Sequence, residues 1–347
     1  MKGKSKISVL YVIPILKIGG AEVVFDSLKI LENQDFSIIK LDLNISNNSF
    51  FTYFKAFCKI FHVLKNNEID FVISSLWKSH LILFFTRFFF KFKLVPFIHS
   101  SKFFNYFDSF FSKWILKRSF AVIVDSKSVS KSITNYILHD RVFVVSMRTS
   151  KPSVRKFYKG FNCNLCFVFL GRVSASKRLD KSLNFLEELH IKLPHHIISL
   201  DIFGPLEDKY ISNFFNNHLF RSNVRVTFHG SIENKFVYNK LIEYDFYLQL
   251  SDIEGMSMSV MDAMSVGLIP IVTNVGEIGN YAIDNFNSLL IKKDDQVDLI
   301  VSKLVGLLAE RENIIRISDN AFTTFESCYL FNDDIFLILN KIRKCVE

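Results

Sequence analysis

The sequence predicts an α/β protein built from two Rossmann-like domains, each with a doubly wound parallel sheet. Its 347 residues are more than one ordinary domain needs and suit two. Short apolar runs rich in β-branched residues alternate with helical patterns, which is typical of βαβ units. The alternation stops at a polar stretch, residues 150–164, and then begins again. Two such series joined by a linker suggest two domains that face each other.

The first series, residues 1–155, contains six predicted strands. Each is an almost continuous apolar run, as expected of a strand buried on both faces. The N-terminus is basic and then apolar but has no small-residue cleavage site, so we interpret it as the first strand and not as a signal peptide. The apolar run 81–98 contains central charges, which predicts a helix and then a strand instead of a membrane span. The strands are predicted at 7–14, 37–43, 71–75, 93–99, 120–126 and 141–147.

The second series, residues 165–325, repeats this pattern. Helices are predicted at 179–193 and 208–219, and a last amphipathic helical segment covers 333–345. We find no internal repeat that would indicate a solenoid. The strands are predicted at 165–173, 195–205, 223–230, 245–251 and 268–274.

Positive charge and phenylalanine are concentrated in the first half of the chain. Residues 1–150 hold 21 Lys and Arg against 10 Asp and Glu, and they hold 22 of the 39 Phe. A surface that is both basic and Phe-rich suits an anionic membrane face. Nucleic acid is the rival partner, and general over-use of Lys and Phe by the genome would give the same composition without any partner.

The five cysteines do not predict a disulfide framework, because their number is odd and their positions are scattered. Cys163 and Cys166 form a CxxC, but no second pair follows at a spacing that would complete a zinc site. Because an apolar run begins immediately, we interpret the pair as the entrance to a strand.

Strand-to-helix turns are the candidate sites, because parallel α/β sheets bind ligands at the carboxyl ends of their strands. The first turn holds Gly19 and Gly20, whose backbone can approach an anion at the following helix N-terminus. The second holds Gly171, Arg172 and Lys177, and its two cations can converge on one phosphate. Taken alone, a plain tight turn and two solvated cations account for these patterns as well. Neither a GxGxxG nor a P-loop motif occurs.

The third turn is the segment SDIEGMSMSVMDAMSVGLIPIV. Glu254 precedes a helix predicted to begin near Met258, and Asp262 lies about one turn into that helix. Ser257 or Ser259 could cap the helix, so Glu254 is not needed as a cap. Because carboxylates accept hydrogen bonds from vicinal hydroxyls and a helix N-terminus attracts phosphate, this turn suits a sugar or a ribose.

Together these segments resemble the retaining glycosyltransferases of family 4, whose GT-B fold has two Rossmann-like domains facing across a cleft. The resemblance rests on GGAE near the N-terminus, on GR followed by Lys177, on S-x-x-EG with a second acid eight residues later, and on the GLIPIV that follows. It continues through GEI and DNFNSLLI and is strongest over 167–292. It implies an acceptor-binding domain at 1–155, a nucleotide-sugar-binding domain at 165–325, and a C-terminal helix within 326–347 that crosses back to the first domain.

The resemblance implies a role for each matching residue. Arg172 and Lys177 would bind the donor diphosphate, and Glu254 would accept hydrogen bonds from the donor sugar. Asp262 would hold the ribose hydroxyls, and His99 would lie near the donor sugar and the acceptor, unless it is a plain strand-end histidine. The implied catalytic set is Glu254, His99, Arg172 and Lys177. The implied donor-binding set is Gly19, Gly20, Gly171, Arg172, Lys177, Gly230, Glu254, Gly255, Met256, Ser257, Met258 and Asp262.

Three positions depart from the family pattern. Asp262 stands where the family usually has Glu, one methylene longer. Val23 replaces an Arg that often follows GGAE, and Asn287-Ser288 replaces the usual Asn-Gly. These departures affect details of the donor site more than the assignment to the family.

The resemblance implies an enzyme that moves a sugar from a nucleoside-diphosphate sugar to a saccharide acceptor with retention. We expect no metal cofactor, since no DxD pair lies at a plausible strand end and cations with helix dipoles would stabilise the leaving group. The basic, aromatic first domain suggests a lipid-linked acceptor in O-antigen, capsule or lipopolysaccharide assembly, and a cytoplasmic enzyme bound peripherally to the inner face of the membrane. Two alternatives are a non-catalytic nucleotide-sugar-binding or scaffold protein on the same fold and a nucleic-acid-binding protein, although we expect no nucleic acid partner.

Overall fold

A computed structural model divides the chain into two compact units. The N-terminal unit comprises Met1–Ser150 and Tyr329–Glu347, and the C-terminal unit comprises Lys151–Cys328. The predicted helix 208–219, the start of the first glycine turn at 17–18, and Cys163 of the CxxC lie outside the described residues. The structure describes residues 6–16, 19–29, 32–100, 105–158, 164–206 and 222–345, except for the side chain of His139.

The N-terminal unit contains a parallel six-stranded sheet whose apolar strands are buried. Its strands are β1 Ile7–Ile13, β2 Phe36–Asp42, β3 Phe71–Ser75, β4 Lys93–Ile98, β5 Val122–Val124 and β6 Val142–Val144, in the order β2-β1-β3-β4-β5-β6. The helices between them are α1 Gly20–Ser27, α2 Phe50–Asn66, α3 Trp77–Thr86, α4 Tyr106–Arg118 and α5 Lys127–Ser132.

The C-terminal unit contains a second parallel six-stranded sheet, in the order β12-β11-β10-β7-β8-β9. Its strands are β7 Asn164–Leu170, β8 Ile197–Phe203, β9 Val224–Gly230, β10 Phe246–Gln249, β11 Ile269–Thr273 and β12 Leu289–Ile291. The helices described with them are α6 Leu179–Lys192, α7 Val237–Leu241, α8 Met258–Ser265, α9 Ile278–Tyr281, α10 Val297–Leu308 and α11 Arg311–Thr324.

The last helix, α12 Phe331–Lys344, packs on the N-terminal unit. The Phe331 N–H donates to the Arg148 carbonyl at 2.7 Å, and Asp334 accepts from the Ser146 N–H at 2.7 Å. The Phe331 ring is fully buried and lies 6.3 Å from the Phe97 ring. The buried side of α12 repeats with helical spacing, so its amphipathic pattern is accounted for by this contact.

The order of strands fixes where a ligand can bind. In each sheet the chain reverses its winding beside the first strand, between β1 and β3 in one unit and between β7 and β10 in the other. Such a switch point leaves a crevice at the carboxyl ends of the two strands. No helix in the described part of the chain is long and apolar enough to cross a membrane.

Candidate active site

The loops that follow β7, β10 and β11 leave the C-terminal sheet at the same edge. Main-chain hydrogen bonds join them directly. The Asp252 N–H donates to the Ser176 carbonyl at 2.8 Å, and the Glu277 N–H donates to the Gly255 carbonyl at 2.9 Å. The loops therefore support one another, and their side chains share the crevice at the switch point.

Lys177 and Glu254 form an ion pair in this crevice. The Lys177 Nζ lies 2.7 Å and 2.9 Å from the two carboxylate oxygens of Glu254. Only 17% of the Lys177 side chain and 6% of the Glu254 side chain are exposed. The structure thus brings together two predicted site residues that stand in different loops, and it holds them where water screens their charges weakly.

Gln249, at the end of β10, holds Glu254 from the other side. Its Nε2 donates to a Glu254 oxygen at 2.9 Å and to the Ser257 hydroxyl at 2.9 Å. Its Oε1 accepts from the Tyr247 hydroxyl at 2.7 Å. Burial raises the pKa of Tyr247, so this phenol stays a neutral donor at physiological pH. We missed Gln249 in the sequence, although an amide at the end of an apolar strand was a signal for it.

Gly276 allows the loop after β11 to reach the backbone of Glu254. Its φ is +61°, and a Cβ built on it would lie 2.3 Å from the Glu254 carbonyl oxygen and 2.7 Å from that of Gly255. Only glycine fits both conditions. Tyr281, on α9, adds a hydrogen bond from its hydroxyl to the Met256 carbonyl at 2.9 Å, and burial raises its pKa well above the usual value.

The N-terminus of α8 begins at Met258, as predicted, but without the predicted serine cap. Ser257 occupies the N-cap position in a left-handed conformation, with φ 52°, and its side chain makes no capping bond. The Ser257 hydroxyl accepts from Gln249 instead, and the Ser259 hydroxyl lies 2.9 Å from the Tyr247 hydroxyl. The expected caps are therefore wrong, and the first-turn N–H groups are left without a side-chain acceptor where an anion can bind.

Asp262 lies one turn into α8 and is half-buried. Its Oδ1 accepts a hydrogen bond from the hydroxyl of Tyr238, on α7, at 3.1 Å. Tyr238 was not singled out in the sequence, because nothing in its surroundings marks a tyrosine there as a partner of an acid 24 positions later. The contact orients the carboxylate, which a solvated side chain would not require.

Gly171, Gly204 and Gly230 bring the loops after β7, β8 and β9 into backbone contact. Gly171 and Gly204 have φ of 148° and 140°, and a Cβ on Gly204 would lie 1.9 Å from the Gly171 carbonyl oxygen. The Gly204 N–H donates to the Gly230 carbonyl at 2.7 Å. Arg172 follows Gly171 directly and is exposed at this edge.

Arg178, also missed in the sequence, holds the loop after β7 to the loop after β10. It adopts a left-handed conformation, with φ 47°, between the 3-10 turn Ala175–Lys177 and α6. Its guanidinium lies 2.9 Å from an Asp180 oxygen and 3.2 Å from an Asp252 oxygen. The hydrogen bond to Asp180 is the largest cause of the raised pKa of Arg178. The guanidinium that joins the two loops therefore stays charged.

The predicted residues of the N-terminal unit lie at the carboxyl edge of its own sheet. Gly19 is the N-cap and Gly20 the first residue of α1, the helix that comes after β1 in the chain. His99 follows β4, and its Nε2 lies 3.1 Å from the Ser75 hydroxyl, which in turn lies 3.2 Å from the Tyr11 hydroxyl. These contacts place His99 beside the switch point of this sheet.

His99 is held as a neutral imidazole. Burial is the main cause that lowers the pKa of His99 to about 3, and the charge of His80 lowers it further. The His99 Nδ1 is buried without a hydrogen-bond partner and lies 3.8 Å from Asp125 Oδ2. Nδ1 is thus enclosed by the protein, and Nε2 is the ring nitrogen that contacts Ser75.

The C-terminal unit matches a known family. The model of the glycosyl transferases group 1 matches residues 150–324, which is half of the chain and includes both Lys177 and Glu254. The chain belongs to this family. No curated protein sequence matches it.

Solved glycosyltransferases of the GT-B fold resemble the whole chain. Sucrose-phosphate synthase from Thermosynechococcus elongatus has a TM-score of 0.75 at 13% identity, with 98% of this chain and 99% of that chain covered. The lipopolysaccharide outer core galactosyltransferase WaaB has a TM-score of 0.71 at 16% identity, with 98% and 99% covered.

TarM from S. aureus, solved as a mutant in complex with Fondaparinux, alpha-GlcNAc-glycerol and UDP, has a TM-score of 0.63 at 17% identity, with 83% of this chain and 59% of that chain covered. The chain therefore spans less than two thirds of the length of TarM. These likenesses confirm the predicted GT-B fold.

Proposed function

We propose that the chain is a glycosyltransferase, which moves a sugar from a nucleoside-diphosphate sugar to a saccharide acceptor and retains the anomeric configuration. The observation that carries the proposal is the Lys177–Glu254 pair beside the uncapped N-terminus of α8. A cation, a carboxylate and free N–H groups in one crevice match a diphosphate and the hydroxyls of its sugar.

The leaving group needs the strongest stabilisation, since negative charge builds on the β-phosphate as the glycosidic bond breaks. An ammonium has three donors, and Lys177 uses two contacts on Glu254. A third donor is left for a phosphate oxygen. Arg172 and the α8 N-terminus would add to this stabilisation, which is worth most in a site that excludes water.

We assign the remaining residues to different parts of the donor. Glu254 would accept from sugar hydroxyls, and Asp262 would accept from the ribose. Gln249 and Tyr247 would act as positioning residues that hold Glu254 in place. His99 would lie near the donor sugar and the acceptor.

We propose that catalysis needs no metal ion. Among the residues that the structure describes, no three His, Cys, Asp or Glu side chains are grouped to hold one. The proposal itself rests on the cations and N–H groups that can take the metal's role at the diphosphate. Turnover that is unchanged in EDTA supports it, and turnover restored only by Mg²⁺ or Mn²⁺ contradicts it.

We further propose a lipid-linked saccharide acceptor and a place in the assembly of bacterial surface polysaccharides at the inner face of the cytoplasmic membrane. WaaB is by name a lipopolysaccharide outer core galactosyltransferase, and the TarM structure contains alpha-GlcNAc-glycerol and UDP. The net charge of the N-terminal residues is positive, which suits an acceptor carried on an anionic membrane.

A donor panel tests the proposal. UDP-, GDP- and dTDP-sugars are screened by thermal shift, since a ligand that binds the folded state raises the melting temperature. The donor that shifts it most is then offered with saccharide acceptors, and the anomeric configuration of the product is read by NMR. We expect retention, and loss of turnover in Lys177→Met and Glu254→Gln.

Lys240→Met is the matched control, because Lys240, on α7, forms an ion pair with Glu243, three positions later, that is more exposed than the pair at Lys177. It should keep full turnover. Donor binding without any turnover would favour the non-catalytic alternative, and an inverted product would contradict the proposed stereochemistry.

A further inference from the structure

The helices on one side of the N-terminal sheet expose an unusual number of aromatic side chains. Nine of them, on α2, α3, α4 and the turn after α3, are exposed, and the exposed fraction reaches 84% at Phe50 and 80% at Tyr106. Monomeric proteins rarely leave contiguous apolar patches of this kind in water. We call this set the aromatic face: Phe50, Phe51, Phe54, Phe85, Phe88, Phe89, Tyr106, Phe107 and Phe110.

Ring contacts join the three helices into one surface. Phe89 packs edge-on against Phe61 of α2, with ring centroids 5.7 Å apart. Phe84 of α3 contacts Phe88 at 5.8 Å and Phe111 of α4 at 5.7 Å. The aromatic face is therefore continuous from α2 to α4 and is not a scatter of single exposed residues.

The segments that contain these helices, together with the residues that follow α3, are strongly basic. Residues 50–66, 77–93 and 105–118 contain ten Lys and Arg and a single acid, Asp108. Asp108 is buried and accepts a hydrogen bond from Ser112, and with it counted the three segments still carry a formal net charge of +9, ten cations minus one acid. The cations are Lys55, Lys59, Lys65, Lys78, Arg87, Lys91, Lys93, Lys113, Lys117 and Arg118.

We propose that the aromatic face binds the surface of an anionic phospholipid bilayer. Phenylalanine side chains insert at the boundary between headgroups and acyl chains, while Lys and Arg beside them attract anionic headgroups. The exposed rings and the excess of positive charge in the same segments match both parts of that surface. The proposal does not depend on the reaction, so its failure would leave the proposed sugar transfer standing and would remove only the proposed place at the membrane.

Two alternatives explain the aromatic face less well than an anionic bilayer does. One is general over-use of Phe by the genome, and the other is a second copy of the chain that binds to this face. General over-use would expose Phe equally in both units. Among the described residues, eight Phe are exposed in the N-terminal unit and four in the C-terminal unit, namely Phe157, Phe228, Phe236 and Phe286. A second copy of the chain would bring ten cations against ten of the same sign.

Single-stranded nucleic acid needs ring faces on which bases can stack. Most ring contacts here are edge to face, for example Phe110 and Phe111 with planes 88° apart, and so do not form a row of parallel ring faces. The aromatic face therefore suits a fluid apolar layer better than separate bases.

Vesicle flotation with the full chain tests the proposal. Phosphatidylcholine vesicles are compared with vesicles containing about one third phosphatidylglycerol, at low and at high salt. We expect flotation only with the anionic vesicles, weakened by salt. The triple variant Phe51→Ser/Phe88→Ser/Phe107→Ser, with one change near each helix, should lower the vesicle affinity at least tenfold.

The matched control is Phe228→Ser/Phe236→Ser/Phe286→Ser, which removes three exposed Phe from the C-terminal unit and should bind vesicles like the natural chain. Circular dichroism confirms that both variants are folded. Absence of binding to anionic vesicles, or equal binding by the aromatic-face variant and the control, would overturn the proposal. The proposal would also be overturned if an oligonucleotide displaced the protein from the vesicles and if the aromatic-face variant no longer bound that oligonucleotide.

Discussion

Replacing Lys177 with methionine removes the main partner of a buried carboxylate. Glu254 is 6% exposed and Lys177 is 17% exposed, so water can replace little of what the ammonium supplies. Breaking a buried ion pair from one side costs about 3–5 kcal/mol. Because Gln249 still donates to Glu254, we expect Lys177→Met to lower the free energy of unfolding by about 3 kcal/mol.

A double-mutant cycle isolates the pair. Glu254→Gln leaves a neutral amide that still accepts a hydrogen bond, and the more exposed Lys177 can turn towards water, so we expect a cost of about 1 kcal/mol. In the double variant no buried charge lacks a partner. Its cost should therefore fall short of the sum by about 2 kcal/mol. The same cycle at the exposed pair Lys240–Glu243 should give about 0.5 kcal/mol or less.

Hydrogen exchange followed by mass spectrometry is the appropriate assay, since it reports each unit separately. The two tryptophans, Trp77 and Trp114, both lie in the N-terminal unit. Their fluorescence serves as a control that should not change. A loss of about 3 kcal/mol would lower protection in the C-terminal sheet by about a hundredfold. A coupling energy no larger than that of the exposed pair would refute the claim that burial makes this ion pair strong.

Three further predictions follow from single contacts. Gly276→Ala should lower the stability of the C-terminal unit by about 2 kcal/mol or more, because of its positive φ and its clash with the Glu254 carbonyl. Gly306→Ala, in α10 with open space around it, should raise stability by up to about 1 kcal/mol. Urea unfolding measures both changes. Gln249→Leu should weaken donor binding in calorimetry and cost about 2 kcal/mol, because Tyr247, Ser257 and Glu254 each lose a partner; unchanged affinity would exclude a positioning role. Burial lowers the pKa of His80 to about 4 and that of His99 to about 3, so the unfolded chain binds more protons than the folded chain below about pH 6.5. The N-terminal unit should therefore lose stability as the pH falls from about 6.5 towards 4. Tryptophan fluorescence measures this loss, and His80→Gln should make it smaller.

Much of the fold could be predicted because its strands are buried on both faces and so appear as apolar runs. The predicted strands at 7–14, 37–43, 71–75 and 93–99 are confirmed within one residue at each end. The runs at 120–126 and 141–147 were predicted too long, because only three residues of each pair with neighbours. β12 was missed, since three apolar residues do not differ from a loop in sequence.

Site residues could be predicted where their own segment of the sequence makes the residue type unusual. They could not be predicted where their role is a contact with a different loop. Glu254 stood out because a helix needs no acid in the loop before it, and the structure places it on Lys177. Gly276 and Tyr281 contact the loop after β10 from more than 20 positions away along the chain. Spacing in one sequence does not encode such contacts. Ser257 was misread as a cap because its competing partner, Gln249, comes from the preceding strand.

The central claim is that the loops after β7, β10 and β11 form a nucleoside-diphosphate-sugar site. Hydrogen exchange of the chain with and without a saturating nucleotide sugar tests it most directly. We predict slower exchange over 171–178, 252–262 and 274–278 on binding, and no such change in Lys177→Met at the same donor concentration. Binding that protects other parts of the C-terminal unit while these three segments exchange as before would contradict the claim.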